Sequence, residues 1–179
     1  MVCGCSQTGR PWRSTAMTTS PATLEYAAVP PAVLDRIRMT GRDDFGNPAV
    51  PRARPAGLPL RCCLRLSKDG ERLVLVAYRP SALGGPYAEV GPVFVHAEAC
   101  GGYPAAHTFP ADFRDRRAVL RPYDVDGLML DGLVAEPGQS EGLVRELLAN
   151  PLVDHVQVRN VVAGCWNFSV RRVATATTA

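Results

Sequence analysis

The chain has 179 residues, 46% of them hydrophobic and 21% charged, which is room for one ordinary domain and a composition typical of a folded one. Its formal charge is +3, yet Arg10, Arg13, Arg171 and Arg172 lie in end segments (1–16 and 171–179) that hold no acid, so the body between them is close to neutral. A near-neutral body argues against a nucleic-acid partner, and the absence of an apolar run of about eighteen residues argues against a membrane span.

The first residues, MVCGCSQTGRPWRSTAMTTS, lack the apolar stretch of a secretory leader. The expected location is the cytoplasm, where the six cysteines stay reduced. Residues 1–23 are Ser/Thr-rich and aperiodic, and read as a disordered extension. Met17 is a second possible start, so residues 1–16 read as a misassigned beginning. The domain is expected over 24–173, with 174–179 a frayed tail.

Pro30-Pro31 before Val33, Leu34 and Ile37 predicts a short helix stopped by Gly41. A long loop, GRDDFGNPAVPRARPAG, follows; Asp43 to Pro48 reads as an ordered turn, since Phe45 breaks calcium-loop spacing. Strands are expected over 59–66 and 72–78, with Asp69-Gly70 as the hairpin turn, and over 93–96. A second hairpin, 117–123 and 128–134, turns at 124–127. Residues 139–149 form a helix with Leu143, Val144, Leu147 and Leu148 on one face, ended by Asn150-Pro151. Strands over 153–161 and 165–173 close the chain around Ala163-Gly164. About seven strands in hairpins with two helices give an α+β fold, a single domain built mainly on an antiparallel sheet.

Arginines dominate the basic residues; Lys68 is the only lysine. That bias fits a G+C-rich genome better than nineteen separate anion sites. The cluster Arg114, Arg116, Arg117 and Arg121 is interleaved with Asp112, Asp115 and Asp124, and reads as a solvated mixed-charge surface.

No dinucleotide, P-loop, serine-elbow, zinc-protease, EF-hand or C-x-x-C motif occurs. The candidates are therefore isolated residues. His96 ends a strand and Cys100 follows in a Gly-rich turn, so an imidazole and a thiol can meet there. An imidazole beside a thiol can make it a nucleophile, with Glu89 or Glu98 to orient the ring. The same pair could instead contribute to a zinc site, joined by Cys62, Cys63 or Cys165. Strand alternation, however, sends Cys62 and Cys63 to opposite faces, so both join one site only if the strand is interrupted. Arg159 and Asn160 lie in the apolar run VQVRNVVAG, and Arg79 at a strand end; a buried arginine there needs a carboxylate or an anionic ligand.

The stretches LDRIRMTGRDDFGNP, LRCCLR, LVAYRP, GPYAEVGPVFVHAEAC and VRNVVAGCWNF resemble the bacterial family DUF1203 over roughly residues 24–172. The resemblance implies a small single-domain bacterial protein and assigns neither an activity nor a cofactor. Within its motifs fall Asp44, Gly46, Cys62, Arg79, Pro80, Gly91, Pro92, His96, Cys100, Arg159, Asn160, Gly164 and Cys165. Three readings stand open: a cleft of Arg79, His96, Cys100, Arg159 and Asn160 for a small anionic ligand or thiol catalysis, a His/Cys metal centre, and a non-catalytic interaction module.

Overall fold

Turns written in glycine, proline and aspartate divide the described part of the chain into ten strands and two helices. The structure is a computed structural model, and it describes residues 22–53 and 56–173. The expected disorder and start of the N-terminal segment, and the tail 174–179, lie outside the described residues apart from Ala22 and Thr23.

One five-stranded sheet has the order β1-β10-β9-β7-β8, built from β1 (Leu24–Ala27), β7 (Ala118–Tyr123), β8 (Leu133–Ala135), β9 (His155–Asn160) and β10 (Trp166–Arg172). The other has the order β2-β5-β6-β3-β4, from β2 (Val50–Ala53), β3 (Pro59–Leu60), β4 (Arg65–Leu66), β5 (Arg72–Tyr78) and β6 (Gly91–His96). All pairings are antiparallel except β3 with β6. The α+β class and the single domain stand as expected, but the strands form two sheets rather than one. The sequence pattern does not predict β1 and β2: their runs, LEYA and VPRA, are too short to show a period, and they form because β10 and β5 offer open edges.

Helix α1 (Pro31–Thr40) starts on proline and ends at Gly41 as expected, burying Leu34 and Ile37. Helix α2 (Ser140–Ala149) buries Val144, Leu147 and Leu148 against β7, β9 and β10. Each such side chain contributes about 1.5–3 kcal/mol. On the same face of the sheet Phe168 meets Phe109 and Phe113 edge-on, at centroid distances of 5.7 and 5.3 Å.

The two sheets meet around Trp166, whose ring lies 5.1 Å from that of Tyr78 on β5. Arg61 ties them together from the turn after β3. Its Nε donates to Trp166 O at 2.8 Å and its Nη2 to Asn167 Oδ1 at 3.1 Å. Asn167 can face Arg61 because the β9–β10 register slips between Trp166 and Phe168. Burial pushes the Arg61 guanidinium down to about 10. Among the described residues no helix is long and apolar enough to cross a membrane.

Candidate metal centre

The expected strand over 59–66 is broken. Residues 61–64 form a turn between β3 and β4, so that Pro59 pairs Leu66 and Leu60 pairs Arg65. Leu64 takes a left-handed backbone, with φ 51°, and is buried. A non-glycine residue there costs about 1–2 kcal/mol, which burying leucine offsets.

That turn defeats strand alternation. Cys62 and Cys63 turn their sulfurs to the same side, 3.8 Å apart. His96, the last residue of β6, brings Nδ1 to 3.3 Å from the Cys62 sulfur and 3.8 Å from that of Cys63. Cys100 reaches the same point from the following loop, where Gly101 and Gly102, both at φ 76°, bend the chain in a way side-chain-bearing residues resist. The four donor atoms lie within 4.8 Å of one another. Cys62, Cys63 and His96 are buried and Cys100 is half-buried.

Backbone donors surround the cluster. The His96 backbone N–H donates to the Cys62 sulfur at 3.3 Å, and the Gly102 N–H donates to that of Cys100. Such donors hold thiolates in place. The Cys62–Cys63 hydrogen bond, then burial, pushes the Cys62 thiol well up, while the same bond holds the Cys63 thiol below its usual value. Burial pushes Cys100 up.

The outer nitrogen of His96 faces charged partners. Its Nε2 lies 3.5 Å from Glu71 Oε2 and 3.2 Å from Arg65 Nη2. Arg65 grips Glu71 with both terminal nitrogens, at 2.5 and 3.1 Å, and this holds the Glu71 carboxyl down to about 2. The carboxylate beside the ring is thus Glu71, held there by Arg65, and neither Glu89 nor Glu98. Glu98 pairs with Arg72 at 2.8 Å, and Glu89 with Arg121 and Arg159. The register Leu73 with His96 carries the missing signal, because it sets the residues just before β5 beside the end of β6.

The other candidates lie elsewhere. Arg159 sits beyond the opposite end of β6, next to Glu89, and the five residue steps from Gly91 to His96 span about 16 Å. Arg79 lies over the Phe45 ring, 5.6 Å from its centroid, in a neighbouring cavity. Asn160 is on the face of β9 opposite Arg159. Cys165 donates to Ala163 O at 3.6 Å and does not reach the cysteine cluster. The structure therefore brings His96 and Cys100 together and separates them from Arg79, Arg159 and Asn160. The Asp43 loop is an ordered turn as read, closed by Asp43 itself.

No curated protein and no solved structure matches the chain. A family model described as "Protein of unknown function (DUF1203)" matches residues 57–172, the stretch that holds Cys62, Cys63, His96 and Cys100 but not the LDRIRMTGRDDFGNP segment. With most of its length matched, the chain belongs to the DUF1203 family.

Proposed function

We propose that this protein is a metalloprotein that binds one zinc-type divalent ion through Cys62, Cys63, His96 and Cys100. The observation that carries the reading is the spacing of the donors. A tetrahedral zinc with bonds of about 2.3 Å to sulfur and about 2.0–2.1 Å to nitrogen sets sulfurs about 3.8 Å apart and sulfur from nitrogen about 3.5 Å. Cys62 and Cys63 stand 3.8 Å apart, and His96 Nδ1 is 3.3 and 3.8 Å from their sulfurs. Three thiolates and an imidazole suit zinc over the harder cations, which take oxygen ligands.

With Nδ1 on the ion, Nε2 is left facing the Arg65–Glu71 pair, at 3.2 Å from the guanidinium and 3.5 Å from the carboxylate. Four protein ligands close a tetrahedral site, so the ion's role on this reading is to tie the 61–64 turn, the end of β6 and the Gly101-Gly102 loop together. The four free cysteines among the described residues fit the reducing cytoplasm expected from the sequence.

Thiol catalysis by Cys100 with His96 as its base is the less favoured reading. His96 Nδ1 is occupied with Cys62 and Cys63, and burial raises the Cys100 thiol instead of lowering it.

Elemental analysis and native mass spectrometry of the purified full chain test the proposal. One zinc per chain is expected, falling well below one in Cys62→Ser and Cys63→Ser and unchanged in Cys165→Ser. Cobalt should substitute and show the visible absorption of tetrahedral cobalt–thiolate. A folded chain that takes up neither ion refutes the reading.

A further inference from the structure

A second site stands apart from the cysteine cluster, on the face of the β7–β9–β10 sheet that carries Trp166. That face is polar. The pairings Tyr123 with His155, Arg121 with Gln157 and Trp166 with Arg159 set these side chains on one side. His155, Gln157 and Arg159 are all buried there. Burying such a row is costly unless each group is partnered, and grouped buried polar residues of this kind mark ligand sites.

A segment without helix or strand, residues 79–90, leaves β5 and crosses this face before entering β6. Three contacts hold it down. Leu83 lies against Gly127 so closely that a Cβ there would be 3.3 Å from it. The Tyr87 ring meets the edge of Tyr123 at 6.4 Å, and Tyr123 in turn stacks on His155 at 5.1 Å. Glu89 places its carboxylate between two guanidiniums, with Oε1 taking Arg121 Nη1 at 2.9 Å and Oε2 taking Arg159 Nη2. Beside this clamp is a cavity of 410 Å³, walled by Tyr78, Pro92, Val93 and Trp166.

The clamp is asymmetric in exposure and anchoring. Arg159, with a side chain 8% exposed, is fixed by Gln157 Oε1 at 3.1 Å and Gly164 O at 3.0 Å, which leaves Nη2 aimed at the carboxylate. Glu89 is 44% exposed and rides on an irregular segment. One anchored cation, Arg159, and a second, Arg121, therefore receive one carboxylate from the exposed side. Their separation suits the two oxygens of a single carboxyl group, and any carboxylate that enters meets the same donors.

We propose that this is a binding site for a small organic carboxylate with an apolar or aromatic body, and that Glu89 is its built-in competitor. The ligand's carboxylate takes the place of Glu89 between Arg121 and Arg159, its body fills the cavity against Tyr78 and Trp166, and the 79–90 strap lifts from the sheet. The site is independent of metal binding at His96. The strap lowers apparent affinity, because only the fraction of molecules with Glu89 displaced can bind.

Calorimetric titration of the full chain with benzoate, and with benzamide as its neutral counterpart, tests this. Glu89→Gln should bind benzoate about tenfold or more tighter than the wild type, in line with removal of a competing closed state. Benzamide should not gain. Adding Arg121→Gln to Glu89→Gln should abolish the gain. Equal benzoate affinity in Glu89→Gln and wild type overturns the proposal, and so does an equal gain for benzamide, which would mark a merely apolar cavity. Should Glu89→Gln fail to fold, hydrogen exchange on the wild type decides: saturating benzoate should speed exchange across 79–90, and unchanged exchange there overturns the proposal.

Discussion

Glu71 and His96 face each other at 3.5 Å, carboxylate oxygen to Nε2, across the open end of the β5–β6 pair. The opposite nitrogen of the same ring looks at two cysteine sulfurs. A histidine held between a carboxylate and thiols has its orientation set from both sides. Arg65 completes the arrangement: it holds Glu71 ionised and brings its own Nη2 to 3.2 Å from the same ring nitrogen.

Glu71→Gln should therefore weaken zinc binding about 10–100-fold, the usual cost of losing a carboxylate behind a metal-bound histidine. Glu98→Gln, which breaks only the exposed pair with Arg72, should leave it unchanged. Competition with a chromophoric chelator gives both constants. Equal affinities in the two variants would remove Glu71 from the site.

Chelation should lower stability. At free zinc of about a hundred times Kd the ion adds about 2.7 kcal/mol, and in a domain of this size each kcal/mol moves Tm about 2–4 °C. Stripping the ion should then lower Tm by about 5–10 °C, measured by calorimetry with and without chelator. The Cys165→Ser protein should show the same drop, and Cys63→Ser a much smaller one because it starts with little of the ion.

Much of this centre was hidden by one local feature. The pattern in 59–66 reads as a strand, and on a strand Cys62 and Cys63 diverge. The turn at 61–64 follows from tertiary burial of Leu64 and from β3 pairing with β6, neither of which leaves a periodic mark. His96 and Cys100 were legible because a strand ending before paired glycines shows in the chain itself. Arg159 was legible as a buried cation in need of a carboxylate, but its partner Glu89 lies 70 positions away in sequence on a segment without pattern. Helix α2 and the closing β9–β10 pair, with strong local periodicity and a glycine turn, came through within a residue or two.

The turn itself makes a sharp prediction at Leu64. Glycine is ordinarily about 0.5–1 kcal/mol worse than alanine. At φ 51° the order should invert, with Leu64→Gly more stable than Leu64→Ala by about 1 kcal/mol, although both lose the buried leucine. Urea denaturation of the two variants decides; alanine more stable than glycine would mean that the left-handed turn is not formed.

Asp43 offers a test of how the loop after α1 is fastened to the second sheet. Its side chain accepts from the backbone N–H groups of Phe45 and Asn47 at 3.0 Å each, closing its own loop, and from Ala77 N–H on β5 at 2.9 Å. Burial alone would raise this carboxyl, but the donors of Ala77, Asn47 and Phe45 outweigh it and hold it below the usual aspartate value. A carboxyl with a lowered folded-state value takes up its proton first in the unfolded chain. Its contribution is therefore fully present at neutral pH and fades as pH falls below about 4, toward the lower folded value. Asp43→Ala leaves the Ala77, Phe45 and Asn47 N–H groups without this acceptor and should cost about 2–4 kcal/mol at pH 7. Asp43→Asn should cost less there, and should flatten the loss of stability between about pH 4 and pH 2. Urea titrations at pH 7, 4 and 2.5 give all three slopes; a wild type and an Asp43→Asn variant that lose stability in parallel on acidification would show that the carboxylate is not what fastens the loop to β5.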